Sequence, residues 1–226
     1  MQLTDPPNEV YDPHWSPDGT QIAFGVIYPP DAYVVSADGG GLHRLRPEER
    51  GFQGNPDWTA DSNPDWSPDG KKIVFTTASA SNPVGETRIL DLDSHKTASI
   101  PGSVGTFAQG YSPDGRYIAA GSHDHLNLKI FDSVTQRWST YPQKDPVGWT
   151  KWSRDSRWIY FLRVKAGSNN GIFRIRITGG EPELVVSLKD FKFTGWFGDW
   201  LGLDDGDAPL MLKDIGSDDI YALTLE

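Results

Sequence analysis

The chain has 226 residues, enough for one large domain or two small ones, with 24 Gly, 17 Pro, 9 Trp and no Cys. Twenty-one basic against 31 acidic residues give a formal net charge of −10, which disfavours phosphate backbones and anionic membrane surfaces, so no direct nucleic-acid partner is expected. The lack of Cys excludes disulfides and thiolate metal sites, and no apolar run approaches the ~20 residues needed to cross a bilayer.

The chain opens with Met1-Gln2-Leu3-Thr4-Asp5-Pro6-Pro7, which carries neither the basic nor the apolar stretch of an export signal, so no compartment is assigned. Met1 to Thr4 reads as an orphan strand. The first full unit, near residues 10–46, contains Trp15-Ser16-Pro17-Asp18-Gly19, the apolar run Ile22-Ala23-Phe24, a second run Ala32-Tyr33-Val34-Val35, the turn Ala37 to Gly40 and a short strand Leu42 to Arg46. The second, near 58–101, repeats this as Trp66-Ser67-Pro68-Asp69-Gly70, Ile73-Val74-Phe75, Ile89 to Leu92 and Thr97 to Ile100. The third, near 107–142, has Tyr111-Ser112-Pro113-Asp114-Gly115, Ile118-Ala119-Ala120, Leu128 to Phe131 and Trp138 to Tyr141.

The fourth unit, near 148–188, is weaker at its turn, Trp152-Ser153-Arg154-Asp155-Ser156, and continues with Ile159-Tyr160-Phe161, Ile172 to Ile175 and Glu183 to Ser187. The fifth, near 195–226, is the most degenerate: Trp200 is aligned with the repeat aromatic, Asp204-Asp205-Gly206-Asp207 with the turn, then Leu210-Met211-Leu212 and Ile220 to Leu223. The aromatics at 15, 66, 111, 152 and 200 are spaced by 51, 45, 41 and 48 residues, the period of a four-stranded propeller blade.

Pro sets φ near −65°, Asp accepts backbone hydrogen bonds and Gly takes the left-handed position, so Ser-Pro-Asp-Gly predicts a hairpin between the first two strands of each unit. Ser156 stands where Gly is expected, at a cost of roughly 1–2 kcal/mol. The run after each turn is apolar at consecutive positions, which marks a strand buried on both faces. The expected fold is therefore all-β, a single β-propeller of about five four-stranded blades. Pairing of Met1 to Thr4 with the last strand would complete the fifth blade and cover an open edge.

Trp-Ser-Pro-Asp-Gly followed by Ile-Ala-Phe and Tyr-Val-Val-Ser-Ala-Asp-Gly-Gly resembles the TolB-like (WD-repeat-like) propeller repeat of bacteria, over nearly the whole chain. Leu45 to Arg50, Val186 to Phe191 and the tail from Asp207 to Leu223 are similar to the C-terminal propeller carried by bacterial winged-helix regulators and serine/threonine kinases. That resemblance implies a sensory or protein-interaction module. No winged-helix or kinase motif is present in this sequence.

Several constellations bear on chemistry. His123-Asp124-His125 has a spacing that suits two ligands on one side of a strand, but it falls where a polar hairpin loop is expected. Asp204-Asp205-Gly206-Asp207 lacks the spacing and the downstream Glu of a calcium loop. No Gly-x-Ser-x-Gly nucleophile elbow occurs. No catalytic residue, metal or cofactor is assigned. Trp15, Trp66, Tyr111 and Trp152 recur at blade period and are expected in the core. The residues just before the repeat aromatics, His14, Asp65, Gly110, Lys151 and Asp199, are expected as a polar ring at one mouth of the channel. Trp58, Trp149 and Trp196 lead into first strands near the same mouth, where aromatics serve as partner hot spots.

The expected function is a monomeric, non-catalytic module for a protein or peptide partner, with His14, Asp65, Lys151, Asp199, Trp58, Trp149 and Trp196 as its contact residues. The alternative is a propeller enzyme (lyase, lactonase or glycoside-active) using a polar site at the same mouth.

Overall fold

Each Ser-Pro-Asp-Gly segment closes its hairpin in the same way. Gly19, Gly70 and Gly115 adopt φ of 70°, 69° and 72°, the left-handed region open to glycine at little cost. The Asp carboxylate then accepts from the Ser hydroxyl and from a backbone N–H two residues on: Asp18 from Ser16 Oγ at 2.6 Å and Thr20 N at 3.0 Å, with equivalent bonds at Asp69, Asp114 and Asp155. Ser156 takes the glycine position with φ of 60°.

The computed structural model describes residues 9–27, 30–46, 59–163, 170–194 and 200–216. These hairpins organise four antiparallel sheets, each made of strands consecutive in the chain. The first holds β1 (Val10–Trp15), β2 (Gln21–Val26), β3 (Asp31–Ser36) and β4 (His43–Arg44). The second holds β5 (Thr59–Trp66), β6 (Lys72–Ser79), β7 (Asn82–Asp91) and β8 (Lys96–Ser99). The third holds β9 (Thr106–Tyr111), β10 (Tyr117–Ser122), β11 (Asn127–Asp132) and β12 (Arg137–Pro142). The fourth holds β13 (Val147–Trp152), β14 (Trp158–Arg163), β15 (Gly171–Arg176) and β16 (Glu183–Ser187). β17 (Leu201–Leu203) and β18 (Pro209–Met211) pair as a lone hairpin. Among the described residues no helix is long and apolar enough to cross a membrane.

The second strands are buried at consecutive positions, Ile73 to Thr77 in β6 and Ile159 to Leu162 in β14, because these two sheets are sandwiched between neighbours. Ala23 and Val34 of the first sheet pack on Trp66, Ile73 and Phe75 of the second. Val74 meets Ala108, Ile118 and Phe131 of the third. Ala119, Leu128 and Ile130 meet Ile159, Phe161 and Phe173 of the fourth, and Leu162 and Ile172 meet Leu201. Each fully buried Phe or Ile contributes about 1.5–3 kcal/mol to this stack. Buried polar groups join the same interfaces. Arg46 donates to both oxygens of Asp61 and to Thr77 Oγ1, and Ala108 N donates to Thr76 Oγ1 at 2.8 Å.

The propeller arrangement agrees with the expectation; the blade count does not. Four four-stranded blades are formed, not five, and the fifth repeat supplies the two-stranded hairpin β17–β18 among the described residues. Its register also differs from the alignment on Trp200. Asp204 occupies the Ser position: its carbonyl accepts from Asp207 N at 3.1 Å, as Ser16 O accepts from Gly19 N, and Asp207 holds the left-handed φ of 62°. Leu203, not Trp200, therefore stands where the other repeats carry their aromatic. Met1 to Thr4 and the run Ile220 to Leu223 lie outside the described residues.

A second correction concerns the repeat aromatics. Trp66 is buried and Tyr111 and Trp152 are half-buried, but Trp15 is 59% exposed. Later Trp side chains reach back to the preceding blade, Trp66 Nε1 donating to His14 O and Trp152 Nε1 to Gly110 O. Trp15 Nε1 makes no such bond among the described residues.

Candidate binding site at the channel mouth

The first strands of the four blades are neighbours around the axis, and each is interrupted by a bulge at the same height. The pairing register slips between Tyr11 and His14 in β1, between Ser62 and Asp65 in β5, opposite Ala119 and Ala120 in β9, and between Gly148 and Thr150 in β13. A bulge re-aims side chains out of the alternating pattern. Here it turns them into a shared cavity of about 330 Å³, at the small end of ligand pockets.

His14, Asp65, Trp149 and Lys151, each placed at the mouth from sequence, all line this cavity. Gly110 lies beside it: Asp65 Oδ2 accepts from Tyr111 N at 3.0 Å, and a Cβ on Gly110 would sit 2.3 Å from that same oxygen. Trp58, Trp196 and Asp199 lie outside the described residues. The cavity also gathers residues not singled out from sequence, among them Asp12, Asn63, Phe107, Gln109 and Thr150, together with His125. Asp12 and Asn63 did carry a signal. Asp12-Pro13-His14-Trp15 and Asn63-Pro64-Asp65-Trp66 are one repeat extended upstream of the turn. His125 belongs to the loop between β10 and β11, as expected for His123-Asp124-His125, but its ring lies 5.0 Å from that of Phe107 over the cavity.

The central polar group is His14. Its Nε2 lies 3.0 Å from Asp12 Oδ1 and its Nδ1 2.9 Å from Asp65 Oδ1. Burial works against the charged imidazolium, but Asp65 and Asp12 outweigh it and push His14 up to about 9. At neutral pH both ring nitrogens therefore carry protons and donate to carboxylates. Burial also disfavours the Asp65 carboxylate, yet His14, Lys151 and the Tyr111 N–H hold it below the usual carboxylate range. Across the cavity, Gln109 Oε1 accepts from Thr150 N at 3.1 Å and from Thr150 Oγ1 at 3.3 Å, tying the third blade to the fourth.

Backbone strain concentrates here too. Asp12, Asn63, His125 and Trp149 all line the cavity with φ of 50°, 52°, 59° and 41°. Trp149 is the most unfavourable, since a bulky side chain in the left-handed region is an outlier; it is held by packing against the cluster of Tyr160, Leu162, Ile172, Leu188 and Leu201. Strain of this kind costs ~1–3 kcal/mol per residue and gathers at functional sites. Among the described residues no group of three or more His, Cys, Asp or Glu is arranged to hold a metal ion.

Blades of consecutive strands about an axis, with a polar cavity at the mouth, define a β-propeller with a built site among its inner strands. Its fold is similar to that of TolB propellers. TolB from Acinetobacter baumannii matches with a TM-score of 0.63 at 21% identity, covering 82% of this chain and 45% of TolB. A putative TolB from Agrobacterium tumefaciens matches with a TM-score of 0.64 at 20% identity, covering 81% of this chain and 64% of its own. A curated relative, the uncharacterized peptidase YuxL of Bacillus subtilis (strain 168), is 28% identical over 154 residues, 66% of this chain. The chain spans 21% of that relative's length. No protein-family model matches.

Proposed function

We propose that this propeller is a non-catalytic binding module that receives a protein or peptide partner at the channel mouth. The observation that carries the proposal is the double engagement of His14. A general base needs a free lone pair and a general acid needs a proton it can pass to substrate. With Asp12 and Asp65 on its two nitrogens, His14 offers neither, and acts instead as a cross-tie that fixes the inner strands of the first two blades. Bulges and strained residues around it supply a rigid cavity, and preorganisation lowers the ordering cost of binding. The resemblance to propellers carried by winged-helix regulators and kinases supports a sensing role within a regulatory protein.

A different enzymatic reading, a peptidase, takes its support from YuxL, which is named one. The matched part is 21% of that protein, and this sequence has no Gly-x-Ser-x-Gly nucleophile elbow. A peptide library panned on the whole chain separates the two. Selected peptides should bind at least about tenfold more weakly to His125→Asn, which keeps a residue tolerant of the left-handed region but removes the imidazole, and mass spectrometry should recover them intact. Cleaved peptides, or binding indifferent to every mouth substitution, would contradict the proposal.

A further inference from the structure

The mouth cavity has an uneven supply of unused hydrogen-bonding groups, and this points to the chemistry of its ligand. Its two acids are already engaged. Asp12 and Asp65 both hold His14, and the second oxygen of Asp65 holds the Tyr111 N–H. A ligand ammonium would therefore meet carboxylates committed to an imidazolium. The donors are in the opposite condition. Lys151 lines the cavity with no hydrogen-bond or ion-pair partner among the described residues; its charge acts on Asp65 only at a distance. Gln109 spends its carbonyl oxygen on Thr150, which leaves its amide N–H groups without a partner among the described residues. Two unused donors, one of them cationic, stand on adjacent inner strands, β9 and β13. Beside them Phe107, Val147, Trp149 and Leu162 supply an apolar wall.

We infer that the cavity captures an apolar residue bearing a free α-carboxylate, the C-terminal residue of a peptide, with Lys151 and the Gln109 amide holding the carboxylate and the Phe107–Trp149 wall taking the side chain. This rests on the binding function proposed above and names its ligand. The volume of about 330 Å³ suits one residue and not a long segment. One cation and one amide match a monoanionic carboxylate, whereas a phosphate dianion calls for an Arg cluster or several cations. Capture of a terminal carboxylate by fixed donors is an established recognition mode. A free amino acid shares the same chemistry, and the experiment separates the two sources.

The test is calorimetric titration of the whole chain with acetyl-Ala-Ala-Phe as the free acid, the same peptide as its C-terminal amide, and free phenylalanine. The free acid should bind about 10- to 100-fold more tightly than the amide, the range of a charge-assisted hydrogen bond. Lys151→Met should bring that ratio close to one. Free phenylalanine binding as tightly as the acid peptide would uphold the carboxylate contact and make the ligand a free amino acid. Equal binding of acid and amide, or a preference that survives Lys151→Met, would overturn the inference. If neither form binds while library-selected peptides still depend on the mouth, the carboxylate assignment fails and the binding function stands. If nothing binds at the mouth, both fail.

Discussion

Ser156 Oγ accepts a hydrogen bond from the backbone N–H of Asp114 at 3.1 Å, joining the inner hairpin of the fourth blade to that of the third. The residue that departs from the repeat has turned its departure into a contact. Elsewhere the left-handed glycine faces the Pro of the preceding turn, which a Cβ would meet at 3.8 Å from Gly70 (Pro17) and 3.7 Å from Gly115 (Pro68). Asp207 repeats the Ser156 solution, its Oδ1 accepting from Arg154 N at 2.9 Å. The turns thus form a chain of contacts from blade to blade. Ser156→Gly should change stability by less than ~1 kcal/mol, because relief of strain offsets the lost bond. Ser156→Ala keeps the strain without the bond and should cost ~1–2 kcal/mol. Urea denaturation would check the order; an alanine variant as stable as the glycine variant would count against it.

Trp15 and Trp66 hold the same repeat position and should respond differently to the same change. Trp66→Ala removes a side chain that is 6% exposed and should cost ~3–5 kcal/mol. Trp15→Ala removes one that is 59% exposed and should cost less than ~1 kcal/mol. Thermal unfolding of the two variants measures the contrast directly.

The ion pair of Arg46 with Asp61 is sealed between the first two blades, with side chains 4% and 5% exposed. Asp61→Ala leaves a buried guanidinium without its bidentate partner and should cost ~3–5 kcal/mol. The double variant Arg46→Met with Asp61→Leu should recover most of that loss, since an apolar pair of similar volume carries no desolvation penalty. A double variant no more stable than Asp61→Ala would show that the pair itself, and not the orphaned charge, sets the cost.

The His14 cross-tie makes stability depend on pH in a definite direction. The folded chain holds the His14 proton up to about 9, above its ordinary 6.5, so the folded state binds that proton more tightly. The resulting stabilisation, roughly 3 kcal/mol from ~1.4 kcal/mol per pKa unit, is complete below about 6.5 and fades as pH rises through about 9. Asp65 acts in the opposite sense: its value is lowered on folding, so its contribution is present above the ordinary carboxylate range and fades on acidification. Denaturation midpoints measured from pH 6 to 10 should fall for the wild type. His14→Gln should be less stable at pH 7 and flatter across that range.

How far these features could be seen in the sequence depends on whether their cause is local. The turns were visible because Pro17, Asp18 and Gly19 each restrict the backbone where they stand. The doubly buried strands were visible because Ile73-Val74-Phe75 has no polar alternation. The fifth repeat was misaligned because Trp200 imitates the repeat aromatic, while the hydrogen bonds of Asp204 and Asp207 mark Leu203 as its counterpart. At the mouth, the position just before each repeat aromatic marks His14, Asp65 and Lys151. It does not mark Asp12 and Asn63, which the bulges bring around. Gln109 and His125 carried no local sign of their place, since one depends on the partner blade and the other on how a loop lies over Phe107. Nothing in the neighbours of Trp149 announces a left-handed tryptophan; tertiary packing alone imposes it.

The central claim is that partners are received where the four inner strands meet. Backbone amide shifts recorded by NMR while a library-selected peptide is added test it most directly. The largest changes should fall at residues 12–14, 63–65, 107–111 and 147–151, on β1, β5, β9 and β13. Changes confined to the outer strands β4, β8, β12 and β16, with the mouth residues still, would contradict it.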